Sequence, residues 1–103
     1  MISPLDARAN ALRELQEIPG VGPSIARNLY ALGVRRIAHL KGRSPETLYR
    51  RLEAHEGAPV DRCALYVFRC AVYYAENKRH SPRLLKLWNW KDEAMKPGRR
   101  AMR

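Results

Sequence analysis

Apolar side chains recur at Leu5, Leu12, Leu15 and Ile18 at the start of the chain. That spacing predicts an amphipathic helix. Ser3 is its N-cap, Pro4 its first helical residue, and Asp6 suits its positive end. Ala7, Ala9 and Ala11 are strong helix formers between them. Pro19 stops the pattern, because proline disfavours helix at the residue before it. Gly20-Val21-Gly22 reads as a tight turn. Pro23 then restarts a helix whose apolar stripe is Ile25, Ala26, Leu29, Tyr30 and Leu32, closed by Gly33.

The pattern repeats downstream. A short helical piece over Ile37 to Leu40 ends near Gly42. Ser44-Pro45-Glu46 opens a helix with Leu48, Tyr49 and Leu52 facing inward. Gly57-Ala58-Pro59 breaks it, and Asp61 caps the longest and most apolar segment, Cys63 to Tyr74. Only Arg62 and Arg69 interrupt that segment, so it is expected to form the centre of the core. After a loop at 77–80, Ser81-Pro82 starts a last helix bearing Leu84, Leu85, Leu87, Trp88 and Trp90. No segment alternates with the period of a strand. The expectation is an all-α chain of about six helical pieces, a single domain over 1–95, and a disordered basic tail over 96–103. At an offset of 37, Leu15 falls on Leu52, Gly20 on Gly57, Gly22 on Pro59, Ala26 on Cys63 and Leu29 on Tyr66. The matched spacing reads as a degenerate duplication of helix, tight turn, helix.

Charge adds a partner to this picture. Twenty Lys and Arg face ten Asp and Glu, a net of +10 that attracts polyanions, nucleic acid first among them. Charged residues interrupt every apolar run and no signal-peptide pattern is present, which fits a soluble, cytoplasmic protein with no membrane partner. Cys63 and Cys70 stand about 10.5 Å apart on a helix, beyond the ~7 Å reach of a disulfide. Both are expected on the buried face as small apolar residues in a reducing compartment.

The residues Leu15, Ile18, Gly20, Gly22, Ala26 and Leu29 resemble a helix-hairpin-helix motif. The doubled arrangement is similar to the tandem helix-hairpin-helix fold of DNA repair and recombination proteins. Over residues 10 to 92, including "DRCALYVFRCAVYYAEN" and "LLKLWNWKD", the chain resembles a family of short bacterial pathogenicity-locus or mitomycin-resistance proteins. The resemblance implies a five-helix, SAM-like domain with an additional C-terminal helix. Its hairpins would lie near 19–23 and 56–60. Some relatives hold a monovalent cation on hairpin carbonyls, which leaves that option open at the first turn. No other cofactor or metal is expected.

The chemistry of the motif stands apart from the resemblance. A helix N-terminus offers unpaired N–H groups and partial positive charge, and holds phosphate well. Gly20 and Gly22 lack Cβ, so the turn can approach a phosphate closely. Val21 is expected at the tip, Ser24 adds a hydroxyl and Arg27 a full charge. A purely structural turn is the competing role for the two glycines. At the second hairpin Pro59 has no N–H, and Glu56 and Asp61 repel phosphate. The first hairpin is therefore the expected DNA contact, with Arg62 of the second as support. Arg35, Arg36, Lys41 and Arg43, followed by Arg50 and Arg51, either track phosphates beside it or form an ordinary solvated face. Trp88 and Trp90 are read as anchors for the last helix, with stacking on unpaired bases as the other role.

Some helix-hairpin-helix proteins are base-excision glycosylases, and that resemblance implies an aspartate beyond the glycine turn. Here the region reads "IAHLKG", with no acid. His39, His55 and His80 are scattered, and no nucleophile, carboxylate pair or metal cluster accompanies them. The expectation is a non-enzymatic domain that binds DNA through its backbone, insensitive to sequence. The alternative is a protein-interaction module of the same fold.

Overall fold

A computed structural model describes residues 3–92, and the predicted tail over 96–103 lies outside them. The described chain is helical throughout, with no strand. The four α-helices are α1 (Pro4–Leu15), α2 (Pro23–Ala31), α3 (Pro45–Glu56) and α4 (Arg62–Glu76). Three short 3-10 turns add to them: Ile37–Leu40 between the two helix pairs, then Pro82–Leu85 and Leu87–Trp90. The last predicted helix is thus two 3-10 turns. Lys86 adopts extended backbone between them and breaks the run.

α1 packs with α2, and α3 with α4. α4 also meets the connecting turn and both C-terminal turns, so it is the hub. Its buried residues include Leu65, Val67, Phe68, Cys70, Ala71 and Val72, as its apolar sequence requires. Leu15, Ile18, Leu29, Leu40, Leu48 and Leu52 close the core around Phe68. Each such side chain contributes about 1.5–3 kcal/mol on removal from water. Leu5 does not join them; it is 78% exposed, because α1 reaches the core only from Ala11 onward.

Local chemistry sets the boundaries. α1 stops at Leu15, three residues before Ile18. Val21 N–H donates to the Ile18 carbonyl, with Pro19 and Gly20 between and Gly20 at φ 88°. Proline second and a left-handed glycine third is what a type II turn requires. α2 ends with Gly33 at φ 93°; its N–H donates to Tyr30 and that of Val34 to Leu29, a Schellman closure.

At the offset of 37 the two helix pairs correspond in burial and backbone up to the glycine. Leu15 and Leu52 are both fully buried, and Gly20 and Gly57 are both left-handed. Beyond it the register changes. The N-cap of α2 is Gly22, two residues after Gly20, whereas the N-cap of α4 is Asp61, four after Gly57. The longer second loop moves the helix by two positions. Ala26 and Leu29 therefore correspond in burial to Leu65 and Phe68, and not to Cys63 and Tyr66. Cys63, the second residue of α4, is exposed, against the expectation that both cysteines face inward; Cys70, two turns further along the same face, is buried.

Carboxylates tie the pieces together. Glu14 accepts from Ile37 N–H at 2.8 Å and joins α1 to the connector. Glu76 accepts from Gly42 N–H at 2.8 Å and joins α4 to the connector's far end. Glu53 accepts from Val60 N–H at 3.1 Å, and Tyr49 donates to the Val60 carbonyl, which fixes the second loop.

Candidate nucleic-acid interface

The four α-helices differ at their N-termini. Ser3 accepts from Asp6 N–H, Ser44 from Thr47 N–H and Asp61 from Cys63 N–H. α2 begins at Gly22 with no side-chain cap. Among the described residues, the N–H groups of Gly22, Ser24 and Ile25 have no hydrogen-bond partner within the chain. Pro23 contributes none. Gly22 has extended backbone (φ −92°, ψ −172°), and nothing lies within 4 Å of where its Cβ would sit. The end of α2 is open, donor-rich and sterically clear. Ser24 is exposed beside it, and Arg27 is exposed one turn further on.

Val21 is not at the tip. It is 5% exposed, packed into the core, and its N–H is spent on Ile18. Packing with the core cluster holds Val21 inward, while Gly20 at the turn is exposed. Gly20 is needed for its positive φ, whereas Gly22 holds a backbone conformation open to any residue. Of the turn carbonyls, that of Ile18 accepts from Val21, and that of Pro19 faces the Cys70 thiol at 4.0 Å. The second contact sets the turn directly on α4.

The supporting basic residues divide. Arg35 and Arg36 line a cleft of about 540 Å³ with Tyr30, Glu14, Asn10 and the small side chains Ala7 and Ala11. The Arg35 guanidinium lies 3.9 Å from the centre of the Tyr30 ring, and that of Arg8 5.6 Å from it. Stacking on Tyr30 positions Arg35 without neutralising it. Its backbone N–H donates to Nδ1 of His39, which accounts for that histidine structurally. Lys41 and Arg50 are exposed and Arg43 is half-buried, while Arg51 donates to the Leu32 carbonyl.

Arg62 is not a free phosphate contact. Its Nε and one terminal nitrogen grip Asp92 at 2.7 and 2.9 Å. Asp92 also takes a terminal nitrogen of Arg69 at 3.1 Å and the Tyr66 hydroxyl at 3.3 Å. Hydrogen bonds from Arg62, and next from Arg69, hold the Asp92 carboxyl well below the usual carboxylate range against its partial desolvation. Trp90 serves as the anchor predicted for it: its Nε1–H donates to Leu84 at 2.7 Å and its ring packs on Tyr73. Trp88 does not; it is 56% exposed, with Lys86 over its ring.

A family model described as Pathogenicity locus matches residues 8–96. The chain belongs to the Pathogenicity locus family. It is also 38% identical over 63 residues to a protein of Streptomyces lavendulae described as mitomycin resistance protein McrB. That match covers 61% of this chain and 60% of the relative. No solved structure matches.

Within this family member, sequence reasoning missed the structural duty of Glu14 and Glu76, because carboxylate-to-backbone bonds across 23 and 34 residues leave no local signal, and that of Glu53, whose bond to Val60 N–H spans 7 residues across an irregular loop. The capping contrast among helices was legible in principle, since Gly22 alone of the four N-caps lacks an oxygen-bearing side chain. Among the described residues, no group of three His, Cys, Asp or Glu is placed to hold a metal, and no helix is long and apolar enough to cross a membrane.

Proposed function

We propose that this protein is a non-enzymatic, sequence-independent DNA-binding domain of the tandem helix-hairpin-helix kind, used in DNA repair or recombination. The observation that carries the reading is the uncapped, unobstructed N-terminus of α2, where the other three described α-helices each have a side-chain cap. A backbone phosphate supplies the missing acceptor: Gly22, Ser24 and Ile25 offer N–H groups, the Ser24 hydroxyl adds a donor, and Arg27 adds charge. Gly20 sets the turn that presents them. Arg35, Arg36 and Lys41 extend the positive field beyond the contact. None of these groups reads a base, so two duplexes of different sequence bind alike.

The test is a titration of fluorescent duplexes of two sequences at rising salt. The expected slope of log affinity against log salt is about −3, near −0.9 per phosphate contacted. Equal affinity for both sequences and a large loss in a Gly20→Asp, Arg27→Glu double variant are expected. Absence of binding at low salt, or a double variant that binds like the parent, overturns the reading.

The exposed Trp88 ring favours a second reading, a protein-docking module of the same fold. Trp88→Ala then abolishes partner capture while leaving duplex affinity intact, which separates the two.

A further inference from the structure

Arg62, Tyr66 and Arg69 stand at i, i+4 and i+7 along α4 and so share one stripe of its surface. All three aim their donors at one carboxylate, that of Asp92, 23 residues beyond Arg69. Arg62 grips it with two nitrogens. Arg69 meets it with a side chain only 10% exposed; the terminal nitrogen that meets Asp92 also contacts Glu46 at 3.1 Å, and the other terminal nitrogen donates to the Trp90 carbonyl at 2.7 Å. A bidentate arginine, a second fixed arginine and a hydroxyl form a donor set suited to phosphate as much as to carboxylate. The stripe begins at the helix that follows the second turn, as the uncapped end of α2 follows the first. The N-terminus of α4 is itself closed, because Asp61 occupies the Cys63 N–H at 2.8 Å. Anion affinity on this half of the molecule lies on the flank of the helix instead.

The geometry points to a second DNA-phosphate site on α4, formed by Arg62, Tyr66 and Arg69 and filled in the free protein by Asp92 of the chain's own C-terminal segment. The inference rests on the DNA-backbone reading. A duplex held at the first turn brings its neighbouring phosphates to this flank at high effective concentration. One of them exchanges with Asp92 on the same donors; Arg69 keeps Glu46 throughout and gives up the Trp90 carbonyl. Asp92 moves away with Trp90, two residues before it, which leaves its seat on Tyr73. The segment acts as a placeholder: it satisfies two arginines in the absence of DNA and competes with DNA for them.

The experiment compares full-length wild type, Asp92→Asn, Asp6→Asn and Asp92→Asn/Arg62→Gln in the duplex titration. Asp6→Asn makes the same change of one charge on α1, away from the stripe. Asp92→Asn is expected to bind about tenfold more tightly, the worth of one charged contact, and to steepen the salt slope by about 0.9. Asp6→Asn moves both far less, and adding Arg62→Gln to Asp92→Asn removes the gain. An Asp92→Asn protein that tracks Asp6→Asn, or a gain that survives Arg62→Gln, overturns the inference. Should Asp92→Asn melt below the assay temperature, Trp88→Phe decides, since Trp90 is then the sole tryptophan. Saturating duplex is expected to shift Trp90 emission to longer wavelength, and unchanged emission overturns the inference. Wild type that binds no duplex at low salt overturns the DNA-backbone reading and this inference with it. Wild type that binds while Asp92→Asn gains nothing overturns this inference alone.

Discussion

Serine in place of Gly22 separates a binding turn from a structural one, because it should move stability and affinity in opposite directions. Gly22 holds extended backbone that serine adopts without strain, and nothing lies within 4 Å of the added Cβ. Serine is a better N-cap than glycine by a few tenths of a kcal/mol, roughly 0.3. Its hydroxyl would accept from Ser24 or Ile25 N–H, as Ser3 accepts from Asp6 and Ser44 from Thr47. At about 4–8 °C per kcal/mol for a domain of this size, the melting temperature rises by about 2 °C. The same hydroxyl takes the place proposed for phosphate. A charged hydrogen bond contributes about 1.5–3 kcal/mol, so duplex affinity falls roughly 10- to 100-fold. Circular dichroism melts and fluorescence anisotropy at fixed low salt read the two effects. A Gly22→Ser protein that melts higher yet binds DNA like the parent refutes the assignment of phosphate to this helix end. One that melts several degrees lower refutes the described cap geometry.

Three further outcomes follow from the packing. Phe68→Ala, at the fully buried centre of α4, is expected to lose about 3–5 kcal/mol in denaturant unfolding, and a loss under 1 kcal/mol would contradict its central place. Asp92 titrates below its unfolded value near 3.9, so its contribution is fully present above that pH and disappears as pH falls through its lower folded value. Acid unfolding of Asp92→Asn should accordingly show a shallower decline below about pH 4 than wild type, and identical acid profiles would refute the clamp. A thiol reagent should modify one cysteine per folded chain: exposed Cys63, slowly because its bond to Asp61 pushes its thiol up, and not buried Cys70. Both react in denaturant, and native labelling of Cys70 would argue against its packing under the first turn.

What the sequence determined by itself is local. Ser3-Pro4 and Ser44-Pro45 marked their helix starts, because caps and proline act within one turn. Pro19 marked the end of the first helical pattern, Gly20-Val21-Gly22 the turn, which the structure centres on Pro19-Gly20, and Gly33 the end of α2, because a positive φ selects glycine. The long apolar run of Cys63 to Tyr74, interrupted only at Arg69, announced the central helix. Three features needed the tertiary structure. Cys63 shares a helix face with buried Cys70 and so read as an inward residue, but it stands at the start of α4, where the core does not cover it. Val21 looked like a tip residue because nothing in a glycine pair tells which side chain its turn directs inward; contact with the core decides that. Arg62 read as an open cation because its partner, Asp92, lies 30 residues away. A charge has no periodicity that reveals its counter-ion, and only the fold brings the two within 2.7 Å.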